Sequence, residues 1–211
     1  GLAYLQTKYS RPFKVASAKW GAPWSGPLNL DGKETTLYAY PEGGNSKLPF
    51  MVSVDLSTTP ITFHDYYAVQ LVAPAYLERV KPITTSLFPG ASVAVYQPGS
   101  RGGAYPPDTM KANTTFDQFK AWADTAYDME FCVVAPLDPG QDEASVKASM
   151  PTLVAGLSSV ARYGTVVVTG YPRDVFDSPA LRAALNDEAA RAECANGLPV
   201  AKVQVAQHWK G

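Results

Sequence analysis

Residues 129–135 read MEFCVVA and residues 165–169 read TVVVT, and these two short apolar runs decide the predicted fold class. Residues 131–134 of the first run are apolar and predict a core strand, and the second run is β-branched throughout, which is typical of a strand buried on both faces of a sheet. The intervening residues 142–163 have a helical pattern that ends before Gly164. A strand, a helix and a second strand in this order predict a parallel strand pair joined by a crossover helix.

The same alternation of helices and strands continues on both sides of this pair. One helix is predicted over residues 114–127, another over residues 178–196, and a last strand over residues 200–206. We therefore expect a C-terminal β-α-β-α-β unit with parallel strands within residues 114–206. The predicted fold class is α/β or α+β, with a mixed β-sheet and helices packed on the sheet.

Residues 35–107 form the β-rich part of the predicted domain. Alternating apolar and polar residues indicate half-buried strands there. The predicted strands are residues 35–40, 50–56, 66–72 and 91–97. A short helix is expected over residues 75–81, where Pro82 would end it. We expect these strands to join those of the second half in one mixed sheet, which gives a single domain over residues 35–211.

Residues 1–34 are predicted to form an irregular arm with short strands, because they show no clear periodicity. The arm is basic before its first acidic residue, Asp31, and carries Lys8, Arg11, Lys14 and Lys19. Such a stretch either is a solvated segment or lies near a membrane surface or a partner. The aromatic residues of the arm and the following strand are Trp20, Trp24, Tyr38 and Tyr40. They either pack the arm onto the domain or stack on a sugar or a peptide.

Composition and charge narrow the classes of function. Hydrophobic residues make up 46% of the chain and charged residues only 18%, and the formal net charge is −1. A chain this close to neutral has no net positive electrostatic potential that would attract nucleic acid, so no nucleic-acid partner is expected. Low charge with many Pro and Tyr residues favours an extracytoplasmic protein, either periplasmic or secreted. No run of about 18 apolar residues occurs, so we expect no transmembrane segment in this chain, although a membrane anchor upstream of Gly1 fits an exported protein.

The two cysteines, Cys132 and Cys194, do not form a CxxC pair, which argues against a cysteine-based zinc site. Three states are open to them: a disulfide bond with each other, two buried free thiols, or a catalytic thiol. Cys132 lies inside a predicted core strand, where a buried thiol is unreactive. We predict the disulfide bond, which agrees with export.

Polar side chains follow the ends of the predicted parallel strands. Residues 136–141 follow the first strand, residues 170–174 the second, and His208 the third. Ligands of open α/β sheets bind beyond the carboxyl ends of the strands. The candidate ligand-binding residues are Gln141, Tyr171 and Arg173, and the candidate catalytic residues of a hydrolase are Asp138, Asp174 and His208. The other interpretation is that turns are rich in Asp, Gly and Pro because their backbone requires these residues.

Other catalytic and cofactor motifs are missing from the sequence. Neither GxSxG nor HExxH occurs, and the glycine-rich residues 99–103 match no phosphate-binding motif. The two histidines are His64 and His208. His64 and Asp65 are adjacent, so on a strand their side chains would point to opposite faces and would not form a dyad. We therefore expect no cofactor and no metal site.

These observations favour a non-enzymatic binding or scaffold domain of an exported or cell-envelope protein, which engages a protein partner. The scarcity of catalytic motifs, the low charge and the basic, aromatic arm support this interpretation. The alternative is a hydrolase that uses Asp138, Asp174 and His208 at the carboxyl edge of the parallel strands. The hydrolase requires that the three loops lie at one edge of the sheet, whereas a binding domain does not.

Overall fold

A computed structural model describes residues 1–20, 34–96, 105–186 and 203–210 of the chain. These residues form helices and two four-stranded sheets. The first sheet is antiparallel, and the second combines one parallel strand pair with antiparallel pairs. The fold is therefore α+β, which confirms the predicted class.

The chain divides into two compact units, and the division falls within one helix. Unit 1 comprises Gly1–Val72 and Gly99–Thr115, and unit 2 comprises Ala73–Pro98 and Phe116–Gly211. Each sheet belongs to one unit, whereas the sequence predicts a single mixed sheet.

Unit 1 contains helix α1, Leu2–Tyr9, and an antiparallel sheet. The strands in spatial order are β1 (Phe13–Trp20), β2 (Glu34–Pro41), β3 (Phe50–Asp55) and β4 (Thr62–Asp65). Residues 2–20, which were expected to be largely irregular, thus contribute a helix and an edge strand. The reason lies in the packing of side chains from distant parts of the chain.

An aromatic core holds α1 against the sheet of unit 1. Leu5 and Tyr9 of α1 are buried with Phe13, Phe50 and Tyr67 in one cluster. The rings of Tyr9 and Phe13 lie 4.8 Å and 5.0 Å from the ring of Tyr67, both at nearly perpendicular angles. Edge-to-face contacts of this kind stabilise a core beyond the burial of apolar area alone.

Unit 2 contains the second sheet and most of the helices. Its elements are the later part of α2 (Tyr67–Leu87), β5 (Ser92–Tyr96), α3 (Phe116–Ala126), β6 (Met129–Leu137), α4 (Glu143–Leu157), β7 (Tyr163–Pro172), α5 (Arg173–Phe176), α6 (Pro179–Asn186) and β8 (Val203–Lys210). The strand order is β5-β6-β7-β8. Strands β6 and β7 are parallel, as their sequence predicts.

Strand β8 runs antiparallel to β7, and the prediction of a third parallel strand is wrong. Val203 lies opposite Gly170, and Lys210 lies opposite Tyr163. The burial of β8 alternates from residue to residue, which is typical of an antiparallel strand with one solvated face. Periodicity shows which residues of a strand are buried but not which way the strand runs.

Helix α2 replaces two elements that the sequence predicts differently. Residues 66–72 were expected to be a strand and residues 75–81 a short helix, but Tyr67–Leu87 is one helix with Pro74 and Pro82 inside it. Its buried residues Val69, Val72, Tyr76 and Val80 recur every three or four positions. Burial of this helical face outweighs the backbone hydrogen bonds that the two prolines remove.

Helices cover both faces of the sheet in unit 2. On β6, Val134 packs in a cluster with Phe176 and Leu185 of the α5–α6 segment. Phe131, three positions earlier, contacts Tyr76 of α2 at 6.2 Å between ring centroids. Because neighbouring side chains of a strand point to opposite faces, α2 and the α5–α6 segment lie on opposite faces of the sheet.

Candidate binding cleft

Asp138 and Arg173 come together at the carboxyl ends of β6 and β7. The Arg173 guanidinium donates from Nε to Asp138 Oδ1 at 3.0 Å, and its Nη2 lies 2.9 Å from the same oxygen. Gln141 accepts a hydrogen bond through Oε1 from the backbone N–H of Asp138 at 2.7 Å. The side chains of Arg173 and Asp138 are 50% and 60% exposed, so solvent screens their attraction. These contacts hold the loop of residues 138–141 beside Arg173 at the protein surface.

The remaining residues of the predicted site lie apart from this loop. His208 is on β8 opposite Thr165, and its Nδ1 lies 3.1 Å from Thr165 Oγ1. Because β8 is antiparallel, His208 is at the end of the sheet opposite to Asp138 and Asp174. Asp174 is exposed in the first turn of α5, and Tyr171 is fully buried in the core. The structure therefore does not assemble Asp138, Asp174 and His208 into one site.

A cleft of about 390 Å³ opens near the carboxyl end of β6. The start of β5 lies beside the end of β6, because antiparallel pairing puts Ser92 opposite Val134. Gly90 is also close to Pro136, since a Cβ added at Gly90 would lie 3.8 Å from Pro136 Cγ. The start of β5 and segments of α2 and α5–α6 line the cleft. Its apolar lining includes Leu77, Phe176 and Leu185, and its charged lining includes Glu78, Lys81 and Arg182. Sequence reasoning found this edge of the sheet but missed these residues.

The charged side chains of the cleft differ in their partners. The Arg182 guanidinium lies 4.8 Å from the ring centroid of Phe176 and donates a hydrogen bond to Asp177. Lys81 and Glu78 lie one turn apart on α2, and no side chain of the described ranges pairs with the Lys81 ammonium. The cleft can therefore bury an apolar group while a cation nearby binds a carboxylate.

A second polar cluster, in unit 1, was not predicted from the sequence. Lys8 Nζ lies 2.8 Å from Asp65 Oδ2, 2.9 Å from the Tyr4 hydroxyl and 3.2 Å from Asp108 Oδ1. The Tyr9 hydroxyl donates to Asp65 Oδ1 at 2.7 Å. The side chains of Lys8 and Asp65 are 4% and 0% exposed. Three oxygens thus match the three hydrogens of a buried ammonium group.

Electrostatics give this cluster a structural role. Burial, and then the negative charge of Asp65, raises the pKa of Tyr4 and Tyr9 well above the usual value for tyrosine. Partial burial acts to raise the pKa of Asp108, but hydrogen bonds from Tyr4 and Lys8 outweigh it and lower the pKa overall. Tyrosines that hold their protons are hydrogen-bond donors rather than general bases near neutral pH. The cluster therefore ties α1 to β4, and removal of one charged partner would leave the other buried and uncompensated.

The sequence contains a weak signal for this cluster. Tyr4 and Lys8 are four positions apart, as are Leu5 and Tyr9, so each pair lies on one face of α1. That spacing predicts a short helix with a polar and an apolar face. It does not identify Asp65, because no local pattern links residues so far apart in the chain.

The other predicted features fall partly outside the described ranges. Cys132 is buried in β6, but Cys194 lies outside the described residues, so the disulfide bond stays a prediction. Trp24 and the glycine-rich residues 99–103 also lie outside them. His64 stacks on Tyr105 with 4.7 Å between ring centroids. Within residues 1–20, 34–96, 105–186 and 203–210, no three metal-binding side chains form a group, and no helix is long and apolar enough to cross a membrane.

Comparisons with known proteins give one structural likeness. No protein-family profile matches the chain, and no curated protein matches it. A crystal structure of a DUF5037 family protein from Ruminococcus gnavus ATCC 29149 is similar over 98% of this chain and 87% of that one. The sequence identity is 12% and the TM-score is 0.48.

Proposed function

We propose that this chain is a non-enzymatic binding domain of an exported or cell-envelope protein and that it engages a protein partner through the cleft of unit 2. The observation that supports this most is the mixed lining of the cleft at an edge of the sheet. Phe176 and Leu185 supply apolar surface, and Lys81 and Arg182 supply cations for charge-assisted hydrogen bonds. Anchor side chains of protein partners bind in pockets of this mixed character.

The size of the cleft suits an anchor side chain with its neighbours. Its volume of about 390 Å³ is near the lower end of the range for ligand pockets, about 300–1,000 Å³. Arg182 and Phe176 are also a stacked cation and ring, and both residue types are enriched at protein interfaces. These features favour a partner segment as the ligand.

The hydrolase alternative gains no support from the placement of its residues. A general base must lie within about 3 Å of the proton that it removes, or act through one water. His208 lies opposite Thr165, near the start of β7, whereas Asp138 and Asp174 follow the ends of β6 and β7. No second function is proposed.

Selection from a library of random short peptides tests the proposed function. We expect the complete chain to enrich peptides whose affinity falls at least about tenfold on the Lys81→Glu/Arg182→Glu variant. The matched control is Lys147→Glu, because Lys147 is an exposed cation on α4, 62% accessible, that does not line the cleft. Thermal unfolding shows whether both variants fold. Failure to enrich any peptide, or equal affinity for the native chain and the cleft variant, would refute the proposal.

A further inference from the structure

A short segment of unit 1 from Tyr105 to Asp108, here called the edge clip, is held on both faces of β4. The ring of Tyr105 stacks on the ring of His64 with 4.7 Å between centroids. Asp108 Oδ1 lies 3.2 Å from Lys8 Nζ, and Lys8 Nζ lies 2.8 Å from Asp65 Oδ2. His64 and Asp65 are neighbours on β4, so their side chains point to opposite faces of the sheet. The two ends of the edge clip therefore lie on opposite faces of the same strand.

The edge clip passes around the outer side of β4. Strand β3 occupies the inner side, with Ser53 opposite His64, and β4 is the last strand in the order β1-β2-β3-β4. A segment that reaches both faces of β4 therefore passes on the side away from β3. The two middle residues of the clip are Pro106 and Pro107. Because proline has no backbone N–H, these residues cover the edge but cannot donate a ladder hydrogen bond there.

The two outer strands of this sheet are protected in different ways. An uncovered strand edge pairs readily with another chain, and exposed lysines, bulges or a covering loop prevent this. Strand β1 carries Lys14, whose side chain is 55% exposed, and a register shift between Val15 and Ser17. Strand β4 (Thr62–Asp65) contains no lysine and pairs with β3 without a register shift. The edge clip thus supplies for β4 the protection that a lysine and an irregular register supply for β1.

The contacts of Asp108 allow the edge clip to be released. Besides Asp108, Lys8 Nζ has Asp65 Oδ2 at 2.8 Å and the Tyr4 hydroxyl at 2.9 Å. The Tyr4 hydroxyl lies 2.7 Å from Asp108 Oδ1 and 3.0 Å from Asp65 Oδ2, so it has a second acceptor. The side chain of Asp108 is 74% exposed, so water can replace it beside Lys8. Tyr4 and Lys8 therefore keep hydrogen-bond partners when the clip lifts.

We propose that the edge clip is an autoinhibitory contact that prevents a second copy of this chain from pairing with β4. When the clip lifts, the β4 strands of two copies pair in antiparallel orientation about a two-fold axis, which makes the two edges equivalent. The only carboxylate of β4, Asp65, is 0% exposed, so identical edges meet without repulsion between carboxylates. This self-association involves unit 1 alone and does not depend on the cleft of unit 2.

Hydrogen exchange and sedimentation of the complete chain test the proposal with the variants Asp108→Ala and Tyr105→Ala/Asp108→Ala. Because a hydrogen bond to a charged group is lost, the amides of residues 62–65 should exchange at least about tenfold faster in Asp108→Ala at low protein concentration. The amides of α1 should keep their rates. At high concentration both variants should form dimers in which residues 62–65 become protected. The matched control is Asp138→Ala, because Asp138 is also exposed, at 60%, and ion-paired, but lies in unit 2.

The outcomes decide the proposal in either direction. Dimers with protection at residues 62–65, in the clip variants and not in the native chain or Asp138→Ala, support it. Variants that stay monomeric, dimers without protection at residues 62–65, or unchanged exchange at low concentration would overturn it. A native chain that already dimerises through residues 62–65 would also overturn it, since the clip would then block nothing. Faster exchange throughout α1 in Asp108→Ala would show that the clip does not lift independently, which likewise overturns the proposal.

Discussion

The same substitution, Tyr to Phe, can be made at two buried tyrosines, one whose hydroxyl has a hydrogen-bond partner and one whose hydroxyl has none in the described part of the chain. Tyr9 is 1% exposed and Tyr76 is 0% exposed. The Tyr9 hydroxyl donates to Asp65 Oδ1 at 2.7 Å, whereas the Tyr76 hydroxyl has no partner in the described part of the chain. Replacement of either residue by Phe removes one oxygen atom and keeps the ring. The two substitutions therefore isolate the value of the hydrogen bond.

Their effects should have opposite signs. A hydrogen bond to a charged group contributes about 1.5–3 kcal/mol, so Tyr9→Phe should lower the free energy of unfolding of unit 1 by about 2 kcal/mol. Burial of an unpaired hydroxyl costs about 1–3 kcal/mol, so Tyr76→Phe should raise the free energy of unfolding of unit 2 by about 1 kcal/mol. The expected difference between the variants is about 3 kcal/mol.

Urea unfolding followed by amide hydrogen exchange measures this difference separately for each unit. Peptides from residues 1–72 report on unit 1, and peptides from residues 116–186 report on unit 2. Equal destabilisation by both substitutions would contradict the assigned surroundings, since it would mean that the two hydroxyls have equivalent environments. A stabilising Tyr9→Phe would refute the assigned hydrogen bond to Asp65.

Two further predictions concern pH and the cysteines. Because burial and Asp65 raise the pKa of Tyr4 and Tyr9 in the folded chain, the unfolded chain loses these protons first, at about pH 10. Below that pH these groups should not affect the free energy of unfolding of unit 1, and above it they should lower that free energy by about 1.4 kcal/mol per pH unit for each tyrosine. Urea unfolding midpoints measured across this pH range test the prediction. Midpoints that do not change with pH would contradict it. Alkylation under denaturing conditions should label no thiol before reduction and both Cys132 and Cys194 after it, and labelling without reductant would rule out the predicted disulfide bond.

Local sequence patterns predicted much of unit 2. The apolar runs at 129–135 and 165–169 lie within β6 and β7, and the helical pattern between them contains α4. Parallel pairing followed from the helix that joins the two strands. These predictions succeed because burial on both faces and crossover connections are expressed within a few tens of residues.

The candidate site was predicted only in its position. Sequence reasoning pointed to the carboxyl edge of the parallel strands, and the cleft lies near the end of β6. It selected Tyr171 from a loop, but Tyr171 is in the core because the strand continues past Gly170 to Pro172. It missed Arg182 and Lys81, because a charge on a helix gives no sign of whether it faces solvent or a cleft.

The sequence by itself determined that residues 129–135 and 165–169 lie in strands, that a helix joins them and that β6 and β7 are parallel, because these features follow from the spacing of neighbouring side chains. Only the tertiary structure decided the direction of β8 and the meeting of Lys8 with Asp65 across 57 positions. Both depend on which surfaces bury each other after the chain has folded back. Long-range packing also forms the cleft beside β5, since the walls of the cleft come from helices on opposite faces of the sheet.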